Sequence, residues 1–241
     1  MAPAGIGDSV EGVHAVRAAV EAGRVERLFV DRRRRDDLEG MVGSSGVPYE
    51  VVDDIRVHAL TEVPQGFVAK CRPLATVSVE DAIELATPAA LMVLDHVEDP
   101  HNLGAVARSA HAAGVQALIT GGRRSAPFGP AAFKAAAGAL EHVRVCVVSS
   151  IADTITRLKK TGVWTVGLTA GASQSLFGLP LLTEPVAIIA GAEGRGLSRL
   201  VEDRVDVVAS IPMRSDLESL NVSVAAALAM FEIGRVRGEL G

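Results

Sequence analysis

The chain of 241 residues predicts an α/β protein built on a mostly parallel sheet. Three observations predict it. From Ala89 onward, short continuous apolar runs alternate with helical stretches, the pattern of strands buried on both faces of a parallel sheet. Nearly half the residues (49%) are apolar but only 3% are aromatic, so the core must be built from Ala, Val, Leu and Ile. Finally, polar or glycine-rich loops follow several of the predicted strands, where open α/β sheets bind ligands.

Residues 1–73 read as one small α/β unit. Val10 to Ala22 predicts a helix closed by Gly23, and Val25 to Val30 a strand. Asp36 to Gly43 predicts a second helix, while Tyr49 to Val52 and Phe67 to Cys71 predict short strands. Residues 74–88, with Ser78, Glu80, Asp81 and Glu84, form a partly helical linker. The second unit, residues 89–241, starts with the strand Ala90 to Leu94 and a helix from Leu103 to Ala113, with Asn102 as N-cap and Gly114 closing it. Val115 to Ile119, Val143 to Val148, Val163 to Leu168, Val186 to Ala190 and Val205 to Ile211 are the further strands. Pro130 to Leu140, Ala152 to Lys160 and Asn221 to Arg237 are the further helices. The last is apolar almost all round and must be buried, within the domain or against a second subunit. The chain holds no internal repeat.

Composition removes several classes. No apolar run approaches the ~18 residues needed to span a bilayer, and Met1 to Ser9 lacks the basic start and apolar stretch of a signal peptide. Cys71 and Cys146 have no Cys or His at ligand spacing, so they read as reduced cytosolic thiols and no metal site is expected. His96, His101, His111 and His142 are too scattered for a metal centre and read as structural or surface residues. The formal charge of −5 means that any nucleic acid must be held by local patches; Arg32 to Arg35, Arg123–Arg124, Lys134 and Arg144 are the candidates.

Three loops carry the chemistry. In Asp99 to Arg108, a guanidinium in the second turn of a helix leans back toward its N-terminus, giving an anion site suited to a phosphate. Gly191-Ala192-Glu193-Gly194-Arg195-Gly196 lets a ligand approach the backbone, but its spacing is neither the dinucleotide fingerprint nor a P-loop. Ile211-Pro212-Met213, followed by Ser219-Leu220-Asn221-Val222-Ser223-Val224, leads from a strand into the last helix.

Together and in this order, the three segments resemble the SpoU/TrmH family of knotted RNA 2′-O-methyltransferases. The likeness continues through Lys134 to Glu141 and Gly162 to Gly167. Glu11 to Val16 and Gln65 to Ala69 make the first unit similar to the small RNA-binding domain of such rRNA enzymes. The resemblance implies a trefoil-knotted parallel-sheet methyltransferase domain, a homodimer, and S-adenosylmethionine bent into the knot. Leu168, Thr169, Gly191, Ala192, Glu193, Gly194, Ile211, Pro212, Met213, Ser219, Leu220 and Asn221 would then bind the cofactor. Asn102, Arg108, Glu193, Ser219 and Asn221 would form the active site, with Arg108 holding an RNA phosphate and Asn102 positioning it. Ser215 stands where the family usually has Gly, and Pro64-Gln65-Gly66 where it often has His-Gln-Gly.

The expected substrate is RNA, with a guanosine of 23S rRNA favoured over tRNA because of the added first unit. A resistance-type rRNA adenosine methyltransferase shares the layout. A non-catalytic RNA-binding protein would fail to bind S-adenosylmethionine. An oxidoreductase on an ordinary open sheet would bind NAD, against the glycine spacing. The expected location is cytoplasmic, with no membrane partner.

Overall fold

A computed structural model describes residues 5–214 and 218–240. Ser215 and the charged piece around it fall partly outside these residues, as do Met1 to Ala4. The first sheet has four strands in the order β1-β4-β2-β3: β1 (Ser9–Glu11), β2 (Val25–Asp31), β3 (Tyr49–Val52) and β4 (Phe67–Cys71). The helices α1 (Val13–Glu21) and α2 (Leu38–Val42) accompany them.

The predicted Val10 to Ala22 helix is shorter than its apolar pattern suggested. Ser9, Val10 and Glu11 pair with Lys70, Ala69 and Val68 of β4, and Gly12 at φ +91° makes the break before α1. Ladder hydrogen bonds thus override a helical period at the edge of a sheet. Glu11 is fully buried and accepts backbone N–H groups of Leu60 and Thr61, so the carboxylate staples the segment after β3 to β1. The second helix also contracts, because a 3-10 turn over Arg32–Asp37 precedes α2.

After α3 (Val79–Ile83), capped by the predicted Ser78, the second sheet contains β5 (Ala90–Asp95), β6 (Ala117–Gly121), β7 (Arg144–Val148), β8 (Trp164–Leu168), β9 (Val186–Gly191) and β10 (Val207–Ala209). All its pairings are parallel, in the order β10-β8-β9-β5-β6-β7. The chain first builds outward from β5 through β6 to β7, then returns past β5 to lay down β8, and β9 fills the gap. The order of strands therefore reverses between β5 and β9, and their carboxyl ends, Asp95 and Gly191, are register partners. This is the switch point where such sheets bind ligands.

Helices α4 (Pro100–Ala112), α5 (Pro130–Ala136), α6 (Ile151–Lys160), α7 (Arg199–Glu202) and α8 (Val222–Arg237) cover the sheet. One apolar cluster runs from Val10 and Phe67 in the first sheet through Leu94 and Phe133 to Met230 in α8. A second lies on the opposite face, around Leu91, Ile119, Ile155 and Ile189. Three helix or strand expectations are corrected. Asp99, not Asn102, caps α4: its Oδ1 accepts the His101 N–H at 2.8 Å and Pro100 occupies the first turn. Pro130 to Leu140 is no single helix, because Ala137 (φ +50°) and Gly138 (φ +98°) turn the chain into a 3-10 segment. A Cβ on Gly138 would stand 2.7 Å from Cβ of Ala18 on α1, so the turn brings the two units into contact. The last strand is only Val207–Ala209.

The last helix is not wholly buried. Val224, Leu228 and Phe231 are 47%, 37% and 42% exposed and fall on one stripe of α8. Cys71 and Cys146 are both free and buried.

Candidate active site

Two adjoining clefts open at the carboxyl ends of β5, β8, β9 and β10. The first, of 380 Å³, falls within the size range of small-ligand sites. Leu168 and Thr169 from the end of β8, Gly191 from β9, Ile211 and Met213 after β10, and Ser219 and Leu220 before α8 line it. Ala192, Glu193 and Gly194 complete the wall. Ten of the twelve residues expected to hold the cofactor therefore converge here, while Pro212 and Asn221 lie outside the lining. Gly191 is the hinge of the wall: a Cβ there would meet the Gly196 carbonyl carbon at 2.1 Å. The loop closes on itself through a bridge between Ala192 and Gly196, so only a residue without a side chain fits against it.

Three carboxylates, Glu193, Glu202 and Glu218, stand around this cleft against one guanidinium, Arg195. That balance suits a ligand carrying positive charge, while Leu168, Ile211 and Leu220 supply apolar walls for a flat ring.

The second cleft, of 450 Å³, shares Ala192, Glu193, Arg195, Gly196, Leu197 and Val222 with the first. Its far wall carries His96, Glu98, Asp99, Asn102, Arg124 and Ser198. The glycine-rich loop is the partition between the two.

A hydrogen-bonded triangle ties three distant segments together at that partition. Asn102 Nδ2 donates to Glu193 Oε1 at 3.1 Å, and Asn221 Nδ2 donates to Asn102 Oδ1 at 3.0 Å. Asn221 Nδ2 also donates to Glu193 Oε1. The Asn221 Oδ1 in turn caps α8, accepting Ser223 N–H at 2.8 Å. Asn102 is buried within the first turn of α4, where it positions Glu193 rather than Arg108.

Arg108 does not reach back over the loop. Its side chain is exposed on α4, lines neither cleft, and has no hydrogen bond or ion pair among the described residues. Ser219 lines the first cleft but lies outside the triangle. Arg124, from the Arg123–Arg124 patch expected to hold nucleic acid, lines the second cleft, while Asp95, His96 and Ser198 are site residues that the motifs did not single out. Asp95 was findable, as the last residue of the central strand.

A third cleft, of 930 Å³, opens beside the first sheet and is lined by His14, Arg33, Arg34, Arg56 and Gln65, among others. Arg34 carries its guanidinium 5.6 Å over the Phe67 ring, and its Nε pairs with Asp37 Oδ2 at 2.9 Å. Part of the positive charge is offset, since Arg32 pairs with Asp53 and Arg56 with Asp54. Lys134 is spent internally, donating to Thr61 Oγ1 and the Val63 carbonyl. Among the described residues no helix is long and apolar enough to cross a membrane, and no group of three or more His, Cys, Asp or Glu is placed to hold a metal.

Comparisons with known proteins agree with this geometry. Residues 89–231 match the model of the SpoU rRNA methylase family, and residues 9–77 match that of RNA 2′-O ribose methyltransferase substrate binding. The chain is 39% identical over 240 residues to the 23S rRNA (guanosine-2′-O-)-methyltransferase RlmB of Coxiella burnetii, covering 95% of this chain and 96% of that protein. It is 35% identical over 241 residues to the RlmB of Escherichia coli, covering 95% and 99%. A solved RNA 2′-O ribose methyltransferase matches with a TM-score of 0.80 at 27% identity, over 96% of this chain and 89% of that chain. The SpoU methyltransferase AviRb from Streptomyces viridochromogenes, solved with AdoMet, shares the fold at 23% identity with a TM-score of 0.80, over 96% and 90% of the two chains. With both family models in tandem and relatives aligned almost end to end, the chain belongs to the SpoU rRNA methylase family.

Proposed function

We propose that this protein transfers a methyl group from S-adenosylmethionine to a ribose 2′-hydroxyl of RNA, with a guanosine of 23S rRNA as the target. The observation that carries the reading is the pair of adjoining clefts divided by one loop. One cleft sets apolar walls beside three carboxylates, which suits a cationic sulfonium donor; the other carries Arg124 and the shared Arg195 beside Glu98, Asp99 and Glu193, and its two arginines can meet an RNA phosphate. The rRNA choice rests on the RlmB relatives, whose names state that substrate.

When bound, the sulfonium supplies an activated methyl that needs only an aligned oxygen nucleophile. Leu168, Thr169, Gly191, Ala192, Gly194, Ile211, Pro212, Met213 and Leu220 would hold this donor. Asn102, Glu193, Ser219 and Asn221 would fix the partition and orient the acceptor. A guanidinium stays protonated at neutral pH, so Arg108 would serve as a clamp on an RNA phosphate, not as a base. An Arg108→Ala variant should bind RNA with a shallower salt dependence, by about one unit of slope, and methylate more slowly. Near-normal turnover in that variant would refute the role.

Residues 1–73 would be the RNA-binding unit, with the arginine-lined cleft as its RNA face, 74–88 the linker, and 89–241 the catalytic unit, tied in a trefoil knot. The enzyme would act in the cytoplasm as a homodimer; the exposed Val224, Leu228 and Phe231 stripe supports a partner on α8.

The deciding experiment incubates the protein with labelled S-adenosylmethionine and, separately, unmodified 23S rRNA, 16S rRNA and bulk tRNA. Label at one alkali-resistant position of 23S rRNA is the expected result. Label confined to tRNA would overturn the substrate, and no label anywhere, with no cofactor binding, would overturn the reaction.

A further inference from the structure

Lys134 turns inward and crosses the join between the two units. It stands on α5 in the catalytic half, yet its Nζ donates to Thr61 Oγ1 at 3.2 Å and to the Val63 carbonyl at 2.8 Å. Both acceptors lie on a strap, residues 58–66, between the 3-10 turn at Ile55–Val57 and β4. Val63, Pro64, Gln65 and Gly66 of this strap line the arginine-lined cleft.

The first unit holds the strap at two further points. Glu11, fully buried on β1, accepts the N–H groups of Leu60 and Thr61 and the Thr61 hydroxyl. Thr61 is thus a link: its hydroxyl donates to a buried carboxylate of one unit and accepts from an ammonium of the other. Gln65, left-handed at φ +58°, accepts the Val13 N–H with Oε1 at 3.2 Å, at the start of α1. A Cβ on Gly12 would stand 2.9 Å from that oxygen and 3.0 Å from Lys134 Cγ, so both side chains close over a residue that has none.

From Lys134 the packing continues to the clefts at the switch point. The residues around it press on Gly104 of α4, where a Cβ would meet the Ala132 carbonyl oxygen at 2.4 Å and Ala135 Cβ at 2.5 Å. Gly104 lies two residues beyond Asn102, whose amide holds Glu193 at the partition. Helices this close cannot slide without a clash, so strap, α5, α4 and partition keep one spacing.

We propose that Lys134 is a positioning residue that sets the register between the arginine-lined cleft and the methyl-transfer clefts, so that one RNA occupies both at once. The inference rests on the reaction proposed above. The ammonium is already engaged by two oxygens, so it holds the strap rather than a phosphate. With the strap fixed, an RNA bound at one cleft presents its second contact intramolecularly, and the two affinities multiply. With the strap loose, each cleft binds nearly alone.

Lys134→Met keeps the aliphatic stem over Gly12 and removes the donors. It should fold and bind S-adenosylmethionine as the parent does. On the RNA that takes the label, its KM should rise by about 10- to 100-fold while the rate at saturating RNA stays within about 2-fold. With S-adenosylhomocysteine present, the salt slope of RNA binding should not change, because no phosphate contact is lost. An oligonucleotide of the methylated nucleotide and its nearest neighbours, too short to span both clefts, should bind parent and variant equally. Lys134→Arg should restore most of the KM, and Lys134→Gln, which can still serve one acceptor, carries the same comparison if the Met variant does not fold. A parental KM in the variants, or an equal loss on the short oligonucleotide, would overturn the positioning role alone. A salt slope shallower by about one would do so too, by making Lys134 a phosphate contact. A parent protein that methylates no RNA would overturn the proposed reaction and this inference together.

Discussion

Arg24 and Glu141 form the buried ion pair that fixes the first sheet against the catalytic half. Arg24 Nε and Nη2 donate to the two carboxylate oxygens of Glu141 at 2.7 and 2.6 Å, and the side chains are 6% and 1% exposed. Nη1 also donates to the carbonyls of Gly7 and Arg72, at 2.6 and 2.9 Å, and the guanidinium lies 5.4 Å from the Phe133 ring centroid. Glu141→Ala would leave two guanidinium donors buried and unmatched. Two charge-assisted hydrogen bonds at about 1.5–3 kcal/mol each give about 3–6 kcal/mol, close to the 3–5 kcal/mol seen when one partner of a buried pair is removed. At about 2–4 °C per kcal/mol for a chain of this size, the apparent Tm should drop by roughly 10 °C. Replacing both partners, as Arg24→Met with Glu141→Leu, should recover part of the loss, because no charge is then stranded although the Gly7 and Arg72 carbonyls lose their donor. Calorimetry on the two single variants and the double variant measures the coupling. A Glu141→Ala variant within about 1 kcal/mol of the parent, or a double variant whose losses simply add, would refute the stranded-charge reasoning.

Four other outcomes follow from particular residues. Burial pushes the Cys146 thiol up to about 12 and the Cys71 thiol up to about 11, so neither should react with a disulfide reagent at pH 8 until the protein is unfolded; rapid labelling of the native protein would contradict this. Both folded values lie above the ordinary thiol value, so their contribution to stability is complete below about pH 9 and is lost as pH rises toward 11–12; melts across that range should show Tm falling. Gly191→Ala places a Cβ against Gly196, and calorimetric titration should show S-adenosylmethionine affinity falling well below that of the parent. Phe231→Glu puts a charge on the exposed stripe of α8, and if that stripe carries the proposed homodimer, light scattering should report dimer for the parent and monomer for the variant; a monomeric parent would overturn the expectation.

The catalytic half was legible because parallel strands buried on both faces read as unbroken apolar runs, and each of the six observed strands overlaps a predicted one. The misses have local causes. Val10 looked helical because its neighbours share a helical period, but β4 offers Ser9 to Glu11 a ladder at the sheet edge. Asn102 looked like a cap because the helix appeared to start at Leu103; Asp99 and Pro100 start it one turn earlier, and Asn102 is free to bind Glu193 and Asn221. Sequence order could suggest that the three loops meet, since all follow strands of one sheet. It could not show which side chains touch, because Asn102, Glu193 and Asn221 meet only through the reversal of strand order between β5 and β9.

Arg108 and His96 show the same limit from opposite sides. A motif singled out Arg108, yet its helix carries it to an exposed face away from both clefts. No motif singled out His96, because a lone histidine after a strand resembles any surface histidine. What distinguishes it is a left-handed backbone, a buried carboxylate at its Nδ1, and a cleft shared with Asn102 and Glu193. Each is a property of the folded chain. A permanently charged guanidinium at the surface suits an RNA phosphate.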